Sequence, residues 1–385
     1  MQQATANLQA MTLSGPGGFA FAPEADFATL GELHQAARDR LDEGVWAFLD
    51  GGSGAEWTLR ANRRAFDGWA FRPRMLQGSG PPNLDTTFLG LRLALPFLTA
   101  PFGADRLFHP DGQRAVVRAA EQAGAASIVP EAGSFGLEAL AEQAPGAARV
   151  FQLHALGDPE NFLRLAGRAA KAGYAALCVT VDCPTDGWRE RIRALRFQLD
   201  HTAVSGNYPA QGGAEAHLFG PMMRNDTPTW TWEGLAKTAA RADLPFIAKG
   251  ILTAADALAA LEAGASAIYV SNHGGRQLDG APASLTQLPE VVGAVARRVP
   301  ILFDSGVRRG TDVLKALALG ADVVILGRVV AYGLAAGGAD GVTATLELLR
   351  DEIRTSLTLL GRTTPAELTA ADLQPAEAQF VEGAS

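Results

Sequence analysis

Cysteine is almost absent: Cys178 and Cys183 are the only two in 385 residues. Their spacing excludes both a CxxC pair and a disulfide framework, and a reducing compartment, the cytoplasm, is the expectation. No stretch of 18 apolar residues is free of charge, so no membrane span is expected. The opening MQQATANLQAMTLSGPGG has neither the basic start nor the apolar centre of a secretory signal. Basic residues are scattered and outnumbered, 33 against 41, and a net charge of −8 leaves no electrostatic footprint for nucleic acid. The six histidines show no ligand spacing, so no metal site is expected. What is abundant is core material: 48% hydrophobic against 19% charged residues argues for one large folded unit rather than disorder.

One phrase recurs along the chain: a helical pattern, then Ala-Gly or Leu-Gly, then an apolar strand. It reads EQAGAASIVP (121–130), KAGYAALCVTVD (171–182), EAGASAIYVSN (262–272) and ALGADVVILGR (318–328). Gly124, Gly173, Gly264 and Gly320 stand where each helix should end, because glycine accepts the left-handed cap conformation. The strands are continuous apolar runs, as expected of strands buried on both faces. LPFLTA (95–100), RVFQLH (149–154), LPFIAKG (244–250) and PILFDSG (300–306) bring the number to eight. Helical patterns at 112–122, 158–171, 253–263 and 311–319 lie between them. Eight β-then-α units predict a (β/α)8 barrel over residues 31–365, with an open Rossmann-like sheet as the alternative. The N-terminal tail would be 1–30, followed by a helix over 31–50, and the C-terminal tail 366–385. Residues 183–231 interrupt the rhythm; their HTAVSGNYPAQGGAEAHLFG reads as a lid over the site, or as a linker between two half-domains.

Polar residues gather where the strands end, which is where active sites on this fold sit. They are Gly103 after the first strand, Gln152 and His154 on the third, Thr180 and Asp182 on the fourth, and Lys249 on the fifth. Ser271, Asn272 and His273 end the sixth, Asp304 and Ser305 the seventh, and Gly327 and Arg328 the eighth. Ionisable groups converging from several strands are costly unless they meet a ligand or each other. FDSGVRRGTD and ILGRVV put glycine turns with Arg308, Arg309 and Arg328 beside helix N-termini, a corner that suits phosphate, although surface turn chemistry would read similarly. SNHGGRQLDG places His273 at the barrel mouth, with Arg276 one short turn away. A histidine titrating near neutrality accepts a proton, and an arginine clamps a carboxylate with two parallel bonds.

On SNHGGRQLDG, FDSGVRRGTDVLKALALGADVV and GGSGAEWTLRANRRAF (51–66), the chain resembles the FMN-dependent 2-hydroxy-acid oxidases and dehydrogenases, from about residue 30 to 365. The wording is nearest the lactate oxidases within that family, beside the glycolate oxidases. The resemblance implies FMN as cofactor and oxidation of a small L-2-hydroxy acid to the 2-oxo acid. Oxygen or another electron acceptor would be the second partner, and the assembly a homotetramer or octamer. His273 would take the hydroxyl proton, with Asp182 orienting or charge-stabilising it, and Arg189 and Arg276 would hold the substrate carboxylate. The α-hydrogen would pass to flavin N5 as a hydride, or leave through a carbanion. Lys249 would face the N1/O2 edge of the flavin, with Gln152 and Thr180 bonded to the ring. Pro101, Phe102 and Gly103 would face N5, with Pro130 and Ser271 nearby. Asp304, Ser305, Gly306, Arg308, Gly327 and Arg328 would hold the ribityl chain and phosphate.

The chain departs from the family at its substrate end. Phe48 and His154 stand where the family has two tyrosines, Pro130 where it has a serine, and Ala132 where a bulky aromatic is common. Losing a hydroxyl bond to a carboxylate costs roughly 1.5–3 kcal/mol, so lactate and glycolate are expected to bind weakly while Ala132 leaves room for a larger side chain. An FMN-dependent isomerase, or a flavin-binding protein with little hydroxy-acid turnover, is the competing reading.

Overall fold

Eight apolar segments form the strands β1 (Phe97–Thr99), β2 (Ala126–Val129), β3 (Arg149–His154), β4 (Ala176–Thr180), β5 (Phe246–Ile251), β6 (Ala267–Val270), β7 (Ile301–Phe303) and β8 (Val323–Leu326). In the computed structural model they pair in parallel and close into a barrel, each beside its neighbours in sequence, with β8 against β1. This is the (β/α)8 barrel, and the open-sheet alternative falls. The structure describes residues 27–78, 80–208, 213, 217–218, 220–223 and 229–376. Residues 1–26 of the N-terminal tail, 377–385 of the C-terminal one and part of the HTAVSGNYPAQGGAEAHLFG run lie outside the described residues.

The recurrent glycines do what their position demands. Gly124, Gly173, Gly264 and Gly320 all have positive φ, between 67° and 106°, and end the helix before a strand. Inside the barrel, Leu98, Ile128, Val150, Ile247, Tyr269, Leu302 and Ile325 make a closed core. A hairpin of Thr86–Phe88 and Leu91–Leu93 inserts Phe88 and Leu93 into that core. A second, larger core lies between strands and helices and includes Phe151, Leu177, Leu288 and Leu346.

Two sequence expectations need correction. The helix read over 31–50 is two helices, Leu30–Arg40 and Glu43–Asp50. Leu41 is extended, and the Asp42 carboxylate accepts the Val45 N–H, so a side-chain cap starts a new helix where periodicity alone runs on. Residues from 366 are not all tail: Leu373–Pro375 pair antiparallel with Trp69–Phe71, tying the end of the chain to the segment before the barrel.

The fold brings the polar strand ends into one ring. His154 pairs in register with Thr180, and Thr180 with Lys249. A bulge follows at Gly250, whose φ of 107° and approach to Asp182 (2.6 Å from where a Cβ would stand) admit only glycine. The insertion after β4 is partly fixed: Gly206 N–H donates to the Gly133 carbonyl (2.9 Å) and Ser134 Oγ to the Ala203 carbonyl (2.5 Å).

Candidate active site

His273 follows β6 in a conformation that few side chains adopt. His273, Gly274 and Gly275 have φ of 58°, 66° and 73°, and a left-handed non-glycine persists only where its surroundings over-determine it. Here they do. Ser271 Oγ accepts the His273 N–H (3.0 Å), and Ser305 Oγ accepts that of Gly274 (3.1 Å). Asn272 and Asn62 exchange two amide bonds of 2.8 Å each, clamping the loop to helix Trp57–Asp67. Sequence reasoning missed Asn62, whose only signal is its place in the GGSG-led segment.

Nδ1 of His273 lies 3.2 and 3.3 Å from the Asp182 carboxylate oxygens, 3.2 Å from Lys249 Nζ and 3.3 Å from Cys183 Sγ. The carboxylate assigns the proton to Nδ1 and leaves Nε2 free to accept. Asp182, Cys183 and His273 are the one group of potential metal ligands among the described residues, and the Lys249 ammonium already supplies a positive charge there. Burial alone would raise the Asp182 pKa, but the charges of Lys249 and His273 hold it down at about 2. Burial and then Lys249 lower His273, against the pull of Asp182. Burial, opposed by Asp182 and Asp304, leaves Lys249 raised and therefore charged. Burial and the Asp182 charge push the Cys183 thiol well up, so it stays protonated.

A cavity of about 830 Å3 opens at this mouth, and every residue to which the resemblance gives a role lines it except Asp182 and Ser271. Those two stand behind His273, one on its ring and one on its backbone. The Phe48 ring has the Arg276 guanidinium 5.0 Å and the Arg189 guanidinium 6.0 Å from its centroid. Arg276 donates to the carbonyls of Phe48 (2.6 Å), Leu49 and Gly51, and Arg189 to Asp186 (2.7 Å). Phe102, Phe108, Phe197 and Ala132 continue the wall as an apolar surface.

The corner after β7 and β8 is half as expected. Arg328 lies inside it, bonded to the carbonyls of Leu49, Gly51 and Gly274, with no carboxylate partner among the described residues. Burial lowers its pKa to about 10, which leaves it a cation at neutral pH. Arg308 lines the cavity, but Arg309 turns away to Glu352 (3.0 Å) and is 61% exposed. The backbone N–H groups of Arg308 and Arg309 are taken by Asp312 (2.8 and 3.1 Å), so they offer a phosphate nothing. Of the two helices that start at this corner, Gly310–Ala318 has its N-terminus capped by Asp312, and Arg328–Leu360 has no side-chain cap.

Glu131 and Tyr208 also escaped the sequence reading, and Cys183 entered it only as one of two cysteines. Glu131 is a buried carboxylate held by His154 Nδ1 (2.7 Å), the His154 backbone N–H (2.9 Å) and the Tyr208 hydroxyl.

A family model described as FMN-dependent dehydrogenase matches residues 37–375. The chain is 42% identical to an L-lactate oxidase of Nostoc sp., covering 86% of this chain and 93% of the relative. It is also 42% identical to a 4-hydroxymandelate oxidase of Amycolatopsis orientalis, over 87% and 95%. Among solved structures, a mutant mandelate oxidase with a C4a-hydroxy-FMN adduct aligns with a TM-score of 0.80 at 40% identity, covering 90% of this chain and 99% of that one.

Proposed function

The chain belongs to the FMN-dependent dehydrogenase family, and from that premise we propose that its pocket is shaped for 2-hydroxy acids bulkier than lactate or glycolate. It is an FMN-dependent 2-hydroxy-acid oxidase; the relatives are oxidases of hydroxy acids, which disfavours the isomerase reading. The observation that carries the proposal is one cavity in which His273, backed by Asp182, meets two arginines and an apolar wall that includes the small Ala132.

The residues present fit FMN. Arg328 is a partly buried cation that, among the described residues, bonds carbonyls alone and stands at an uncapped helix N-terminus, a donor set that suits a phosphate. Gln152 donates to Thr180 (3.0 Å) beside Lys249, a row of polar groups suited to the edge of a flavin ring. Pro101, Phe102, Gly103 and Pro130 would border that ring, while Asp304, Ser305, Gly306, Arg308 and Gly327 would carry the ribityl chain and phosphate. Bound FMN supplies the acceptor for the substrate's hydride equivalent. The chain supplies the rest. Arg189 and Arg276 hold the carboxylate, and His273 Nε2 takes the hydroxyl proton. Asp182, ionised throughout the physiological range, stabilises the imidazolium that results. Lys249 keeps a fixed positive charge at the same place. Oxygen is the proposed electron acceptor, the insertion 183–231 the proposed cover, and a cytoplasmic homotetramer or octamer the proposed form.

Phe48 and His154 withdraw two phenols from the substrate's head, while an apolar side chain gains roughly 25 cal/mol for each Å2 it buries. kcat/KM across glycolate, lactate, mandelate and 4-hydroxymandelate, in wild type and Phe48→Tyr, tests this. Wild type should favour the aromatic acids, and Phe48→Tyr should raise lactate by roughly tenfold, the low end of a hydrogen bond to a charged group, and raise the aromatic acids less. A wild type that already prefers glycolate or lactate overturns the pocket assignment.

A further inference from the structure

A smaller cavity of about 340 Å3 lies against the first, and five residues, Asp186, Arg189 and Phe197 among them, line both. Arg193 and Arg196 line the outer cavity alone. Its charged lining is therefore three arginines and one carboxylate, and that carboxylate, Asp186, is bonded to Arg189 (2.7 Å). The sign is local. Residues 186–196 carry four arginines against Asp186 and Glu190, in a chain whose net charge is −8. The fourth, Arg191, is an anchor: it bonds Asp50 (3.0 Å) and Glu56 (2.7 Å) and fixes the short helix Glu190–Ala194. Arg193 and Arg196 are exposed and have no carboxylate partner among the described residues. The Arg193 guanidinium stands 3.7 Å from the ring centroid of Trp188, a side chain itself 61% exposed. A tryptophan left in water gains little from burial; here its face is a platform that holds a cation at the cavity.

We propose that the outer cavity is a cationic vestibule, in which the carboxylate of the incoming hydroxy acid docks on Arg193 and Arg196 before it passes Arg189 into the inner cavity. The inference rests on the 2-hydroxy-acid reading above. An anion approaching a chain of net charge −8 is repelled by the field of the whole, and a cleft lined by the opposite sign focuses the field and raises the rate of encounter. Arg189 belongs to both cavities and Arg276 to the inner one, so the arginines run in sequence from the outer cavity to His273. Phe197 stands in the same partition and packs against Phe48, their ring centroids 5.9 Å apart, which gives the apolar end of a bulky acid a surface to follow. Arg193 and Arg196 do not line the inner cavity, so they act on the passage and not on the seated acid. A group that stabilises only the passage speeds arrival and departure together and leaves the affinity as it was.

The test is stopped-flow mixing of the FMN-loaded enzyme with phenylglyoxylate, the 2-oxo acid of mandelate, followed by flavin absorbance to give kon, koff and Kd. Wild type, Arg193→Gln/Arg196→Gln and Arg193→Lys/Arg196→Lys are compared at about 10 mM and about 300 mM ionic strength, where the reach of a charge falls from roughly 30 Å to well under 10 Å. At the lower salt the glutamine pair should slow kon and koff alike by about fivefold, the effect of two unit charges acting through water, and leave Kd within about twofold. The lysine pair keeps both charges and should bind like wild type. At the higher salt wild type should come within about twofold of the glutamine pair, since screening removes the advantage. A glutamine pair that binds at the wild-type rate in low salt overturns the proposal, as does a loss that lysine does not restore or salt does not erase. So does a Kd weakened as far as kon with koff unchanged, which would put the arginines on the seated acid. A wild type that binds no phenylglyoxylate and oxidises no 2-hydroxy acid instead removes the functional reading underneath, and the inference falls with it.

Discussion

Replacing His273 with alanine should leave FMN bound and slow flavin reduction by at least about 10²-fold, the low end for general-base catalysis. The ring touches Asp182, Lys249 and Cys183, and its loop is held independently by Ser271, Ser305 and the Asn62–Asn272 clasp, so alanine removes the base without removing its support. The pH profile carries the same claim. Burial and Lys249 lower the His273 pKa from its ordinary 6.5. The neutral form that accepts a proton therefore exists above a value lower than 6.5, and kcat/KM should fall only as pH drops through that value. Asp182, at about 2, stays ionised across the whole range. An acid limb above 6.5, or a His273→Ala enzyme reduced at the wild-type rate, contradicts the assignment.

Arg276→Leu should cost kcat/KM for the preferred acid about 30-fold or more, since truncating one partner of a desolvated charge pair costs roughly 2–5 kcal/mol. Arg276 also bonds the carbonyls of Phe48, Leu49 and Gly51, so the variant loosens the end of helix Glu43–Asp50 as well. The methyl ester of the same acid separates the two effects. It has no carboxylate to clamp, so Arg276→Leu should lose on the ester only what the loosened helix end costs, far less than it loses on the acid. An equal loss on acid and ester would make Arg276 a prop for the helix rather than a carboxylate ligand.

The barrel is legible in the sequence because its strands are buried on both faces and the recurrent glycines before them sit in left-handed caps; composition and spacing carry that information directly. The mouth is legible because ionisable residues at the ends of apolar strands are costly to bury unless they converge on one site. What stays hidden depends on contacts between segments far apart in the chain. Arg308 and Arg309 are neighbours of one type, and only Glu352, 43 residues away, makes one of them an outward ion pair. Leu41 breaks a helix because Asp42 caps the next one, a choice that hydrophobic periodicity does not register. Nothing in the sequence singles out Glu131; its carboxylate is buried against Tyr208, supplied by the insertion, and His154. His154 itself is visible as a departure from the family, but not as half of a pair.

The most direct measurement of the central claim is anaerobic mixing of the FMN-loaded enzyme with glycolate, lactate, mandelate and 4-hydroxymandelate, watching the flavin band. Bleaching by 2-hydroxy acids, fastest with the aromatic members and followed by recovery of the band when oxygen is admitted, is the predicted result. A band that none of these acids bleaches would contradict the account.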